Sequence, residues 1–228
     1  MTTEPTWSGS AGPTAVSPAG RVAPGTARVE AFSDGVLAVA ITLLVLDLKV
    51  PHVEPGSVWP ALLDQWPGYA AYVTSFLSIG IMWMNHHSLF VMIARADRKL
   101  LFVNLLLLLL IVTVPFSTSL VAEYLTHPGF NGKIAMAIYS GQSFLMGLGF
   151  AALWGYPLTH PRLLADGVDV AAARRAFPRF AIGSAVYGAL VAVSFLNPAV
   201  ALALHVSVAV YYAFERLPVG QRAGGHLG

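Results

Sequence analysis

An all-α membrane protein is the fold class that this sequence predicts, and three observations carry the prediction. Of 228 residues, 56% are hydrophobic and 11% are charged, where a soluble domain carries about 25% charged residues. Mean hydropathy is +0.68. Six apolar segments are long enough to be read as helical spans, given ~20 residues for a ~30 Å hydrocarbon core. Zero cysteines exclude disulfides, thiolate catalysis and Cys-ligated metals or clusters. A net charge of +2 leaves no nucleic-acid footprint.

Taken in order, residues 1–27 are rich in Pro, Gly, Ser, Thr and Ala and lack the apolar core of a signal peptide. They read as a disordered cytoplasmic tail. The first span, Val29–Leu48, opens with Arg28, Glu30, Ser33 and Asp34 and then runs apolar to Leu46. The second, Trp66–Ala94, contains Tyr69, Tyr72, Phe76 and Trp83, and the third, Leu100–Leu120, includes the Leu105–Leu110 block. The fourth is Ile134–Leu153, the fifth Phe180–Phe195 and the sixth Ala199–Phe214. Only Leu196-Asn197-Pro198 joins the last two, which predicts a tight hairpin. Gly155–Arg179 is the longest loop, so residues 28–216 form one transmembrane unit and 217–228 a short cytoplasmic tail. The Phe-Ser-Asp pattern occurs once, which counts against an inverted-repeat transporter.

Lys and Arg set the orientation. With the N-terminus inside, 11 of the 13 basic residues fall in cytoplasmic segments, and only Lys49 and Lys133 fall outside. Both termini are therefore expected in the cytoplasm. Trp59, Trp66 and Tyr69 then form an outer aromatic belt.

A 1.5 Å rise per residue places Asp34 roughly 9 Å in from the cytoplasmic side, His86 and His87 roughly 12–14 Å, and Asn104 roughly 8 Å. Ser33, Asp34, Trp83, Asn85, His86, His87 and Asn104 thus share one slab of the inner leaflet. Polar groups at such depth are functional-site hypotheses by default. They suit a buried network tying three helices together, and such a network also serves as plain interhelical glue. No metal site is expected: adjacent His86 and His87 point about 100° apart, without the one-turn spacing of a zinc motif. His205 lies too far across the membrane to complete one. On the first helix Gly35, Val39, Thr42 and Leu46 form one stripe at the helical period, with Leu43 beside it. Thr42 is the sole hydroxyl of that run, and by spacing alone it is as readily a residue bonded to its own carbonyl four back.

Arg28-x-x-x-Phe32-Ser33-Asp34, with the Gly-Val-Leu-Ala-Val-Ala-Ile-Thr-Leu-Leu-Val-Leu-Asp run that follows, resembles the prokaryotic branch of the transmembrane protein 175 family of potassium channels. The Trp83-Met-Asn85-His86-His87 segment and the six helices extend the resemblance over nearly the whole chain. It implies a homotetramer in the cell membrane, with four first helices around a central pore for potassium ions. No Thr-Val-Gly-Tyr-Gly carbonyl filter is implied, and none is present. Selection would come from first-helix rings: a hydrophobic constriction at Val39, a threonine layer at Thr42, and Leu46, with Leu43 adjacent. Arg28, Phe32, Ser33 and Asp34 would pack with Trp83, Asn85 and His86 or His87 at the cytoplasmic end. Relatives usually carry Ile or Leu where Val39 stands and often Phe where Leu37 stands, so this ring is expected to be wider.

The function expected is a potassium-preferring cation channel without catalytic residues or cofactors, partnered by lipid and by its own copies. Competing readings are a proton-coupled secondary transporter using Asp34 with His86 or His87, and an intramembrane hydrolase built on Ser33-Asp34 and His86.

Overall fold

The computed structural model describes residues 26–52, 54, 56–127 and 129–214. The tails expected at 1–27 and 217–228 lie outside these residues, apart from Thr26 and Ala27, which already belong to the first helix. Among the described residues the chain is helical: α1 (Thr26–Leu43), tightening into a 3-10 turn at Leu44–Asp47, then α2 (Val58–Asp64), α3 (Trp66–Val91), α4 (Arg98–Val112), α5 (Val114–Tyr124), α6 (Asn131–Thr159), α7 (Val170–Leu196) and α8 (Pro198–Phe214). Three segments are long and apolar enough to cross a membrane by length and composition: Thr26–Asp47, Arg98–Tyr124 and Asn131–Thr159.

The span expected at Leu100–Leu120 is not one helix. Pro115 has no N–H for the carbonyl four residues before it, so the helix breaks at Thr113 and restarts as α5. Backbone groups freed inside a bilayer need partners, and Gln142 of α6 supplies one: its Nε2 donates to Leu110 O at 2.9 Å and Thr113 Oγ1 at 3.1 Å.

The loop expected at Gly155–Arg179 is much shorter, because α6 continues to Thr159 and α7 begins at Val170. Hydropathy falls there, but helix propensity does not. Ala171–Ala173 are strong helix formers, and Asp169 caps them by accepting from Ala172 N at 2.9 Å. The α7–α8 hairpin is tighter still. Asn197 alone separates the helices, and its Oδ1 accepts from Ala199 N at 3.0 Å and Val200 N at 3.1 Å. Pro198 at the first helical position follows such a cap naturally.

α3 is central, touching α1, α5 and α8, while α6 packs on α4, α5, α7 and α8. Small residues let α6 approach its neighbours closely. A Cβ built on Gly147 would lie 2.5 Å from Ser184 Oγ, and one on Gly149 3.4 Å from Leu107 Cδ1. On the far side of the bundle, α1 packs chiefly on α3 and α4. Its other flank is left open among the described residues.

At one end of the bundle the α3–α4 turn clamps the α6–α7 linker: Ala94 N donates to Leu163 O and Ala165 N to Met92 O, both at 2.9 Å. Asp97 joins the two strands of chain. Its Oδ1 accepts from Leu100 N at 2.9 Å, capping α4, and its Oδ2 accepts from Tyr156 Oη at 2.8 Å. The Leu100 N–H, then the Tyr156 hydroxyl and Arg162, hold the Asp97 carboxyl below its usual range against a smaller effect of burial.

Candidate functional site

Helical periodicity divides α1 into two stripes. Ser33, Leu37, Ala40 and Leu44, spaced four, three and four residues apart, are buried against the bundle. Two positions further round, the residues Arg28, Phe32, Gly35, Val39, Thr42 and Leu46 repeat the same spacing and are all exposed. Val39 is 56% exposed and Leu46 74%. Leu43 is exposed as well, one residue off the stripe.

Ser33 begins a buried chain of hydrogen bonds across three helices. His86 Nε2 meets Asn104 Oδ1 at 2.8 Å, and Asn104 Nδ2 donates to Ser33 Oγ at 2.9 Å. Ser33 Oγ then donates to Val29 O at 2.8 Å. Asn104 Oδ1 can only accept, so His86 carries its proton on Nε2 and presents a bare Nδ1, which is buried without a partner. Phe90 stacks on the His86 ring at 4.4 Å. Every residue of this chain is uncharged, as burial at this depth favours.

A second, more exposed layer lies beside it. Asp34 Oδ1 accepts from Trp83 Nε1 at 3.0 Å, and His87 Nδ1 pairs with Glu30 Oε1 at 2.6 Å. Glu30 and Asp34 are one turn apart on α1, and Trp83 and His87 are one turn apart on α3. Two matched i, i+4 pairs therefore face each other. Sequence reasoning left Glu30 out of the site, although this double spacing could have found it.

The structure brings together Ser33, His86 and Asn104, and separately Asp34 with Trp83. Arg28 and Phe32 instead lie on the open stripe and join neither layer among the described residues. Asn85 turns the other way, into a cavity behind α3. Asp34 meets an indole N–H rather than either histidine, so the pair that a proton relay would need is not formed. Ser33 is separated from His86 by Asn104, so no nucleophile–base pair forms either. Among the described residues no cluster of three or more His, Asp or Glu could hold a metal.

Thr42 Oγ1 lies 3.0 Å from Ala38 O and 2.9 Å from Val39 O. Its proton goes to its own helix, which leaves the oxygen lone pairs turned outward. At the other end of α1, Ser119 of α5 donates to Asp47 Oδ1, and Lys49 pairs with Glu123. That hydrogen bond and the Glu123 carboxylate raise the Lys49 pKa.

A helical bundle with three segments long and apolar enough to cross a bilayer, held together by buried uncharged polar bonds, defines an integral membrane protein of the all-α class. Residues 28–115 match the family described as endosomal/lysosomal potassium channel TMEM175. Over 196 residues the chain is 49% identical to a potassium channel of Streptomyces collinus, covering 86% of this chain and 95% of that one. It is 41% identical over 193 residues to a potassium channel of Chamaesiphon minutus, covering 83% and 94%. The fold matches the crystal structure of a lysosomal potassium-selective channel TMEM175 homolog from Chamaesiphon minutus with a TM-score of 0.74 and 38% identity, over 82% of this chain and 96% of that one. The chain belongs to the TMEM175 family.

Proposed function

We propose that this chain is one subunit of a potassium-preferring cation channel, a homotetramer in which four copies of α1 surround a central pore. The observation that carries the reading is the open stripe of α1, apolar along its membrane part except for one outward-turned hydroxyl. No other element covers it among the described residues. Four copies around an axis would enclose it. The relatives described as potassium channels support potassium as the permeant ion.

In that arrangement Val39 forms an apolar neck, which gates by dewetting because a narrow hydrophobic constriction holds water and ions poorly. Four Thr42 oxygens replace part of an ion's hydration shell beyond it. This favours the more easily dehydrated potassium ion over sodium. Without stacked carbonyls the preference is modest. Leu46 and Leu43 line the outer approach, and Arg28 and Phe32 meet neighbouring subunits at the inner end. Six spans with both termini cytoplasmic, in the cell membrane, fit the distribution of Lys and Arg.

Reconstitution of the full chain into a planar bilayer with asymmetric potassium and sodium tests this directly. A channel gives unitary currents whose reversal potential lies on the potassium side of zero. Saturable, pH-coupled flux without unitary currents would replace the proposal with a transporter.

A further inference from the structure

Behind α3, on the side away from α1, the helices α3, α5, α6, α7 and α8 surround a cavity of about 510 Å³. That lies within the ~300–1,000 Å³ range of pockets that hold small organic ligands. Its wall combines apolar groups such as Met82, Met146 and Phe150 with the uncharged polar side chains of Asn85, Gln142 and Tyr187. No Asp, Glu, Lys, Arg or His belongs to the lining among the described residues. We propose that this cavity binds an uncharged single-chain amphiphile drawn from the bilayer, its chain against the methionines and its hydroxyl or ester head on the amide and phenol groups.

Charge selects the class. A carboxylate or phosphate carried into this wall would lose its hydration without meeting a counter-charge among the described residues. A fully apolar occupant fares badly for the opposite reason. The amide of Asn85 and the phenol of Tyr187 make no hydrogen bond among the described residues, and polar groups shut away by an apolar occupant are left without partners. A head with one or two hydroxyls satisfies both while the tail fills the rest. The position also fits entry from lipid, since Ser78 to Ser88 of α3 line the cavity along about three turns of a helix at membrane depth. Ser78 and Ser88 offer the head no proton, because each donates to the carbonyl four residues back, at 2.8 Å, and can only accept.

The site shares its wall with the polar network. Met84 and Asn85 face the cavity, and on the same turn Trp83 and His86 hold Asp34 and Asn104. An occupant therefore bears on the helix that fastens α1. That consequence rests on the channel reading. Binding itself does not.

The test uses the full chain in phosphatidylcholine vesicles with a diazirine-bearing monooleoylglycerol as the probe. Photolabelled peptides are mapped by mass spectrometry. Label is expected on α3, α6 and α7 at cavity-lining residues, displaced by unlabelled monooleoylglycerol but not by oleate or phosphatidylglycerol. Ser143→Phe fills the cavity from α6 and should reduce that label at least tenfold. Tyr187→Phe keeps the shape and removes one hydroxyl, so competition should weaken roughly 2- to 10-fold, as loss of one hydrogen bond predicts. Label confined to outward-facing residues such as Leu106 and Leu109 means ordinary lipid contact and overturns the proposal. So does displacement by oleate as effective as by the neutral ligand. Should Ser143→Phe fail to assemble, Tyr187→Phe and the oleate arm decide alone. All these readouts stand whether or not the protein conducts.

Discussion

Ser33, Leu37, Ala40 and Leu44 on one face of α1 are buried within the subunit, whereas Arg28, Phe32, Gly35, Val39, Thr42 and Leu46 on the opposite face are exposed. The first face ends in a hydrogen bond to α4 and, through it, to α3. Among the described residues the second bonds only to its own backbone, at Thr42. Residues of the first face and their partners therefore carry the fold of the subunit, and those of the second can change without altering it. Substitutions on the two faces should separate cleanly between stability and current.

Asn104→Leu tests the buried face and should have the largest effect. It leaves the His86 Nε2–H without its acceptor and removes the donor that Ser33 Oγ accepts from. Each buried group deprived of its partner costs about 1–3 kcal/mol, although double-mutant cycles between membrane helices average nearer ~0.6 kcal/mol. Either figure predicts a lower unfolding midpoint in detergent and poorer oligomer yield. An unfolding free energy within about 0.5 kcal/mol of wild type would make the three-helix chain incidental.

Val39→Asn tests the open face. It should leave the unfolding midpoint unchanged and raise open probability, because an amide ring wets a neck that an apolar ring keeps dry. Unaltered single-channel gating would move the constriction elsewhere on the stripe. Thr42→Ala should act more gently: conduction persists, and the potassium-over-sodium permeability ratio falls. An identical reversal potential under bi-ionic conditions would remove Thr42 from ion selection.

Much of this division was legible in the chain, and the exceptions have physical causes. The spacing Gly35, Val39, Thr42, Leu46 is a property of sequence and emerges intact as an exposed stripe. Depth counting put Ser33, His86 and Asn104 at one level, and they meet. Depth does not give azimuth, however. Phe32 and Ser33 are neighbours in the chain but point about 100° apart, so one joins the open stripe and the other the buried chain. Asn85 and His86 part company for the same reason. Glu30 was missed because its partner lies on another helix and only a doubled i, i+4 pattern marks it. The break at Pro115 was overlooked where the solid leucine block suggested one helix. The early start of α7 was hidden because hydropathy records burial in lipid, whereas an Ala-rich, Asp-capped segment needs none to be helical.

A smaller effect asks whether the buried face depends on how α4 is seated as well as on Asn104. Asp97 caps α4 two turns before Asn104, and its carboxyl has a pKa lowered from an ordinary value near 3.8. A carboxyl whose folded pKa is depressed adds stability that is present above the unfolded pKa and is lost as pH falls through the folded one. The unfolding midpoint should therefore stay level from neutral pH down to about 5 and decline below about 4. Asp97→Asn can still accept from Leu100 N but presents an amide N–H₂ toward Tyr156, which then loses its acceptor. This variant should begin lower at neutral pH and show a flatter acid limb. The current's permeability ratio should not change, because nothing on the open stripe has moved. An acid limb as steep in Asp97→Asn as in wild type would assign the acid sensitivity to other carboxylates and leave Asn104 as what seats α4 against the buried face.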